Sequence, residues 1–314
     1  MVRVRSRAGA PRVANEIFRG GIMDRDTSTQ AIRELGLQPF DVPEPVFGGW
    51  DTEMWRFHTS DGGAHVLRVY PSLERGAGLC QEQAALRAAA AAGLPVPRAA
   101  ASGVVNGQPM LVLSWLEGEP LLSHLQRRPW RVRGLGRELG RMQARLHMVP
   151  PPAEMLPGTP GSWLAWTGVS AVAEQTRGLA TNAATGSLIH LDFHPLNVLT
   201  DGRRITGILD WGSSAAGDPR ADVARTAALL RAGPLPPGPF KPILGLFRNA
   251  LYDAWRGGYE DATSAKVEAS PFMAWGAATW LADMERNVGN AQGWANDEGV
   301  RSARQWLGRW ATRE

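Results

Sequence analysis

The chain has 314 residues, enough to bury a substantial core as one two-lobed unit or two small domains. Its net charge of +4 lies wholly in residues 1–22, where Arg3, Arg5, Arg7, Arg12 and Arg19 face Glu16 alone. The neutral remainder argues against a nucleic-acid-binding domain, which would carry a basic face on its folded part.

Cys80 is the only cysteine, so an internal disulfide is excluded and a reducing compartment is the natural fit. No apolar run approaches the roughly 18 residues of a membrane span, and no secretory segment follows the basic start. A cytoplasmic protein without membrane or nucleic-acid partners is expected. Of 34 basic residues only Lys241 and Lys266 are lysine, which together with abundant Ala and Gly points to a GC-rich, bacterial genome.

Residues 1–27 have no hydrophobic period and are expected to form a disordered basic arm, with Met23 as an alternative start. A short helix is predicted over 28–36, capped by Ser28 or Thr29 and stopped by Gly36. Strands follow at 46–50, 54–58 and 65–70, the last two joined by a turn at 59–63. An Ala-rich helix over 74–92 ends at Gly93. A second hairpin, 98–104 with 109–115, turns at Asn106-Gly107, and an extended Leu-Glu-Gly-Glu-Pro occupies 116–120.

Beyond Pro120 the pattern is mostly helical. Leu135, Leu139, Met142 and Leu146 recur at helical spacing over 131–148. A proline-rich loop and a further helix lead to residue 190. A small hairpin joins 198–200 to 205–209 through Asp201-Gly202, and three or four helices fill 220–312.

The chemistry is concentrated at 190–197, His-Leu-Asp-Phe-His-Pro-Leu-Asn, and at Ile-Leu-Asp-Trp-Gly over 208–212. Asp192 can accept a proton from an attacking hydroxyl, while Asn197 and Asp210 offer oxygens to hard cations. The Asp–four residues–Asn spacing, with a further Asp beyond a hairpin, matches a kinase catalytic loop and its metal-binding Asp.

With these pieces the chain resembles the aminoglycoside phosphotransferase family, itself similar to the protein kinases. The resemblance runs from about Phe47 to about Leu230. It takes in Gly-Gly-Trp-Asp at 48–51, Val-Leu-Arg-Val at 66–69, Glu82, Gly-Leu-Pro-Val-Pro at 93–97 and Leu-Glu-Gly-Glu-Pro at 116–120. Arg-Leu-His at 145–147, the 190–197 loop, Leu-Asp-Trp-Gly at 209–212 and Gly-Asp-Pro-Arg-Ala-Asp-Val-Ala at 217–224 complete it.

The resemblance implies an α+β, protein-kinase-like two-lobed fold. Residues 28–116 would form a small antiparallel-sheet N-lobe with one main helix, and 117–314 a larger, mostly helical C-lobe. It implies a small-molecule kinase that uses ATP or GTP with one or two Mg²⁺, Asp192 as catalytic base, and Asn197 and Asp210 as metal ligands. Gly48, Gly49, Arg68 and Glu82 would steady the phosphates, and Ser114, Trp115 and Leu116 would lie against the base. His190, His194, Asp218 and Asp222 would support the catalytic loop, with contact between His194 and phosphate or acceptor left open. His147 reads as a packed core histidine.

Two departures stand out. The family commonly has lysine where this chain has Arg68, and the Gly48-Gly49 loop lacks a full G-x-G-x-x-G. The acceptor is left open among an aminoglycoside-like antibiotic, a macrolide, a sugar, choline, homoserine or another metabolite. Trp255, Trp275, Trp280, Trp294, Trp306 and Trp310 read as core, with one or two available to stack on a sugar or a quaternary ammonium. The alternative is a catalytically silent nucleotide-binding or interaction module. A protein kinase is disfavoured, because Gly217-Asp218-Pro219 follows Asp210 too soon to leave a peptide platform.

Overall fold

The computed structural model describes residues 23–46, 52–74, 76–155, 163, 179, 184–235, 238–289 and 295–311. Residues 1–22 of the expected basic arm, the Gly48–Asp51 loop, Trp294 and most of the helix expected before residue 190 lie outside them.

Helix α1 (Arg25–Glu34) opens the described chain. Its cap is Asp24, whose carboxylate accepts from the Thr27 amide at 2.8 Å; Ser28, one of the expected caps, is buried inside the first turns. An acidic cap also suits the positive end of the helix, and the earlier start takes in residues assigned to the arm. The stop falls as expected, with Gly36 at φ +84°.

Five strands follow: β1 (Glu44–Val46), β2 (Glu53–His58), β3 (Ala64–Val69), β4 (Ala99–Val105) and β5 (Gln108–Ser114). They form one antiparallel sheet in the order β1-β2-β3-β5-β4. Asn106 and Gly107 both have positive φ, the geometry that turns a tight hairpin with the twist of its strands. Strand alternation divides the sheet into two faces. Leu67, Val69, Met110 and Val112 pack with Ile32 of α1, while Val66, Leu111 and Leu113 join Leu86 of the helix α2 (Leu79–Ala91).

Helix α2 begins at Leu79 rather than near residue 74. Before it, backbone bonds close successive turns, from the Gly76 amide to Ser72, Ala77 to Glu74 and Leu79 to Gly76. The glycine at 76 also lets Pro109 approach, since a Cβ there would lie 2.3 Å from the proline ring.

The second lobe starts at β6 (Glu119–Pro120), which pairs with β8 (Val198–Thr200); β8 pairs in turn with β9 (Ile205–Ile208). A second small sheet joins β7 (Ser187–Ile189) to β10 (Ala215–Gly217). The α-helices of this lobe among the described residues are α3 (Leu121–Arg127), α4 (Val132–His147), α5 (Pro219–Ala232), α6 (Lys241–Thr263), α7 (Met273–Asn287) and α8 (Asp297–Trp310). The four helices after residue 218 agree with the sequence reading. Helix α3 has no counterpart there, because Pro120 reads as the end of an extended segment and serves instead as the residue before its first turn.

Helices α4 and α6 cross at two glycines. A Cβ on Gly140 would meet the Trp255 carbonyl at 2.0 Å, and one on Gly258 the Arg137 carbonyl at 2.1 Å, so only glycine permits this approach. Trp255, Trp275, Trp280, Trp306 and Trp310 are all buried in the core, as expected of them, and none offers an open ring face. No helix among the described residues is long and apolar enough to cross a membrane.

Candidate active site

Strand β3 places Arg68 on the face that looks at α2. There the guanidinium meets Glu82, Nη1 to Oε1 at 2.6 Å, and the other carboxylate oxygen accepts from the Tyr70 hydroxyl at 2.9 Å. Glu82 is only 3% exposed and Arg68 only 13%. Burial disfavours the Arg68 charge, but the carboxylates of Glu82 and Asp210 together with Tyr70 more than offset this and raise its pKa. The second guanidinium nitrogen stands 3.7 Å from Asp210 Oδ1, so one side chain links the sheet, α2 and the residue that follows β9. Tyr70 is a partner that the sequence pattern does not announce.

The β8–β9 hairpin brings Asn197 and Asp210 to one end. Asn197 precedes β8, Asp210 stands two residues past the end of β9, and the Leu209 amide donates to the Asn197 carbonyl at 2.7 Å. Asn197 Nδ2 donates to the Asp192 carbonyl oxygen at 3.1 Å and to its Oδ2 at 2.8 Å. The same nitrogen lies 3.2 Å from His194 Nε2, so the Asn197 amide group faces both Asp192 and His194, and its side-chain Oδ1 points away from these donor contacts as the atom a cation could use. Asp210 lies in the left-handed region at φ 61°, a conformation Asp tolerates better than most residues, and its carboxylate is 50% exposed.

Asp192 is held from several sides. Its Oδ2 stands 3.4 Å from His194 Nε2, while His194 Nδ1 accepts from the Leu196 amide at 3.3 Å. Burial pushes the Asp192 pKa up, but His194, which faces the carboxylate through Nε2, and the Arg225 cation outweigh it and hold the carboxyl well below the usual carboxylate range. The side chain keeps 29% of its surface open, so an ionised carboxylate faces a reachable space.

Leu191, just before it, has φ 64°, which costs a non-glycine residue on the order of 1–2 kcal/mol. Two charged groups clamp that residue: Asp222 Oδ1 accepts from its amide at 2.7 Å, and Arg225 Nε donates to its carbonyl at 3.3 Å. Such charge-assisted bonds, about 1.5–3 kcal/mol each, are strong enough to offset the strain.

Asp222 is completely buried in the first turn of α5. Besides Leu191 it accepts from the His190 amide at 3.2 Å, from His147 Nε2 at 2.9 Å and from Gln143 Nε2 at 3.3 Å. His147 is therefore buried as expected, but it belongs to the scaffold of the loop and not only to apolar core. His190 donates from Nε2 to the Leu209 carbonyl at 3.0 Å and accepts at Nδ1 from the Asp192 amide at 3.3 Å, so a neutral ring spans the loop and the start of the Asp210 segment. Asp218 caps α5 through the Arg220 amide at 2.9 Å and also accepts from the Ala184 amide at 3.1 Å.

Ser114, Trp115 and Leu116 lie where β5 leaves the sheet. Ser114 Oγ accepts from the Arg98 amide at 2.9 Å, the Trp115 amide donates to the Ala64 carbonyl at 2.8 Å, and Arg56 stacks 4.5 Å over the Trp115 ring. Leu116 reaches the hairpin, since a Cβ on Gly207 would touch its Cδ1 at 3.0 Å. Gly48 and Gly49 fall outside the described residues. Sequence reasoning misses Arg225, Gln143 and Tyr70; their partners are distant in sequence, and nothing in their local pattern sets them apart.

Asp192 and Asp222 share a sign of pH linkage. Their pKa values are depressed in the folded state, so the stability they contribute is present above the unfolded value of about 3.9 and is lost as pH falls through the lower folded value. Acid titration followed by circular dichroism should show a flat baseline from neutral pH down to the ordinary carboxylate range. A loss of structure beginning near pH 6 would contradict these two assignments.

A five-stranded antiparallel lobe joined to a helical lobe, with a carboxylate–amide–carboxylate set facing an Arg–Glu pair, defines the class of kinase-like phosphotransferases. The sequence model of the phosphotransferase enzyme family matches residues 43–263, more than half of the chain, and the protein belongs to that family. No curated protein matches the sequence.

Solved structures agree on the fold. A thermostable mutant of aminoglycoside phosphotransferase APH(4)-Ia, in ternary complex with ADP and hygromycin B, superposes with a TM-score of 0.59 at 16% identity, over 90% of this chain and 97% of that one. Aminoglycoside-3'-phosphotransferase of type VIII gives 0.57 at 20% identity, over 81% and 97%. Macrolide 2'-phosphotransferase MphH from Brachybacterium faecium gives 0.54 at 18%, over 88% and 98%.

Proposed function

We propose that this phosphotransferase moves the γ-phosphoryl group of ATP or GTP to a hydroxyl of a small acceptor, an aminoglycoside-like antibiotic or a metabolite such as a sugar, choline or homoserine. The observation that carries the reading is the convergence of Asp192, Asn197 and Asp210 at one end of the β8–β9 hairpin, opposite Arg68. Relatives of the same fold include one bound to ADP and hygromycin B, which supports a nucleotide donor and a small hydroxylated acceptor.

The donor set suits Mg²⁺. An amide oxygen and an exposed carboxylate are hard ligands, and two protein ligands leave positions for phosphate oxygens and water. When bound, Mg²⁺ would neutralise charge on the phosphates that Asn197 and Asp210 face.

The chain's own part is positioning. Arg68, fixed by Glu82, holds phosphate oxygens; Asp192 accepts a hydrogen bond from the acceptor hydroxyl and aims its oxygen in line with the γ-phosphorus. The new O–P bond forms as the bond to the β-phosphate oxygen breaks, and the hydroxyl proton passes to Asp192. A carboxylate with so depressed a pKa is a weak base, which suits a loose transition state where the proton leaves late.

Incubation with γ-labelled ATP or GTP, Mg²⁺ and pooled aminoglycosides, macrolides, sugars and amino alcohols should yield a labelled acceptor. Bound nucleotide without transfer to any pool would favour a silent binding module instead. Arg68→Gln removes a phosphate clamp and should weaken nucleotide binding by about tenfold or more, the scale of one charge-assisted hydrogen bond. Unchanged affinity by calorimetry would remove Arg68 from the nucleotide site.

A further inference from the structure

Helix α6 carries Lys241 and Arg248 two turns apart and therefore on one side. Helix α8 turns Glu298, Arg301, Ser302 and Gln305 to one side by the same spacing. Together these two faces line a cleft of about 280 Å³, with Gly233 at the end of α5 also on its wall. None of these residues belongs to the candidate active site.

The charge in the cleft is not balanced. Three cations share one carboxylate, and Glu298 is already ion-paired with Lys241. Arg248 donates from Nη1 to the Gly233 carbonyl at 3.0 Å, but its Nε is buried with no hydrogen-bond partner. Arg301 makes no hydrogen bond among the described residues. Burial and the nearby charge of Arg231 both disfavour the Arg248 cation, and only Glu298 works against them.

Unspent guanidinium donors beside an ammonium and a serine hydroxyl are a donor set for a tetrahedral oxyanion. An anion here would satisfy the buried Nε and relieve the repulsion among the three cations. We infer that the α6–α8 cleft is a second ligand site, which takes a phosphate group, either free or carried on a small ester.

The test is calorimetric titration of the full chain with inorganic phosphate and, separately, with glycerol 3-phosphate. Wild type should bind saturably. Arg301→Glu lies on the exposed side of α8, so it should keep the fold by circular dichroism while weakening binding by about tenfold or more. Arg68→Gln, run in parallel, should keep the binding that Arg301→Glu weakens. Tighter binding of the ester would assign the group to an ester, and tighter or equal binding of inorganic phosphate to the free anion. The inference is overturned if neither probe binds saturably, if Arg301→Glu binds as wild type, or if binding is lost in Arg68→Gln and kept in Arg301→Glu. The last result would put the anion in the nucleotide site.

Discussion

Asp192→Asn is expected to lower kcat by about 10²–10⁴-fold, the usual contribution of a positioned general base, while nucleotide affinity stays within a small factor of wild type. The substitution keeps the shape and the contact to Asn197 but removes the negative charge that receives the hydroxyl proton. Nucleotide is held by other residues in this account, namely Arg68, Asn197 and Asp210, so binding and turnover should separate. Parallel measurement of nucleotide affinity and of steady-state turnover distinguishes the outcomes. Equal kcat would remove Asp192 from the chemistry, and equal loss of affinity and turnover would mean that the residue holds the loop together instead.

Asp222→Ala should be the most damaging single change to stability. It would leave the amides of His190 and Leu191 and the His147 ring without their acceptor in a fully buried place. Removing one partner from such a network costs about 3–5 kcal/mol, out of a total stability of roughly 5–15 kcal/mol. Leu191 would also lose one of its two clamps and relax from its left-handed conformation, so Asp192 would lose its aim even in molecules that stay folded. Thermal unfolding should show a large drop in Tm and activity should fall with it; a Tm near wild type would refute the bracing role. Asn at this position does not rescue the site, because its amide would turn a donor towards groups that are themselves donors.

The candidate site is legible in the sequence because its proposed residues are local. Asp192, Asn197 and Asp210 fall within one loop and one short hairpin, and the Asp-Gly and Asn-Gly pairs mark two of the hairpin turns by their residue types alone. The sheet and the long amphipathic helix are readable from periodicity for the same reason. What the sequence hides is non-local. Asp222 reaches His147 across 75 residues and Arg225 reaches Asp283 across 58, and no short window along the chain contains both partners.

His147 illustrates the limit: its place on a buried helix face is visible, but whether it meets a carboxylate depends on how α4 packs beside α5. The β7–β10 pair escapes a reading of pattern because each strand is three residues long, too short for alternation to register. Arg68 stands where the family commonly has lysine, and its meeting with Glu82 follows from strand alternation once the sheet order is known.

The most direct test is labelled γ-phosphate transfer in the presence of Mg²⁺, with wild type and Asp192→Asn assayed side by side against the same acceptor pools. The account predicts labelled product from at least one pool with wild type and almost none with the variant. Equal product from both proteins, or no product from any pool while nucleotide is bound, would contradict it.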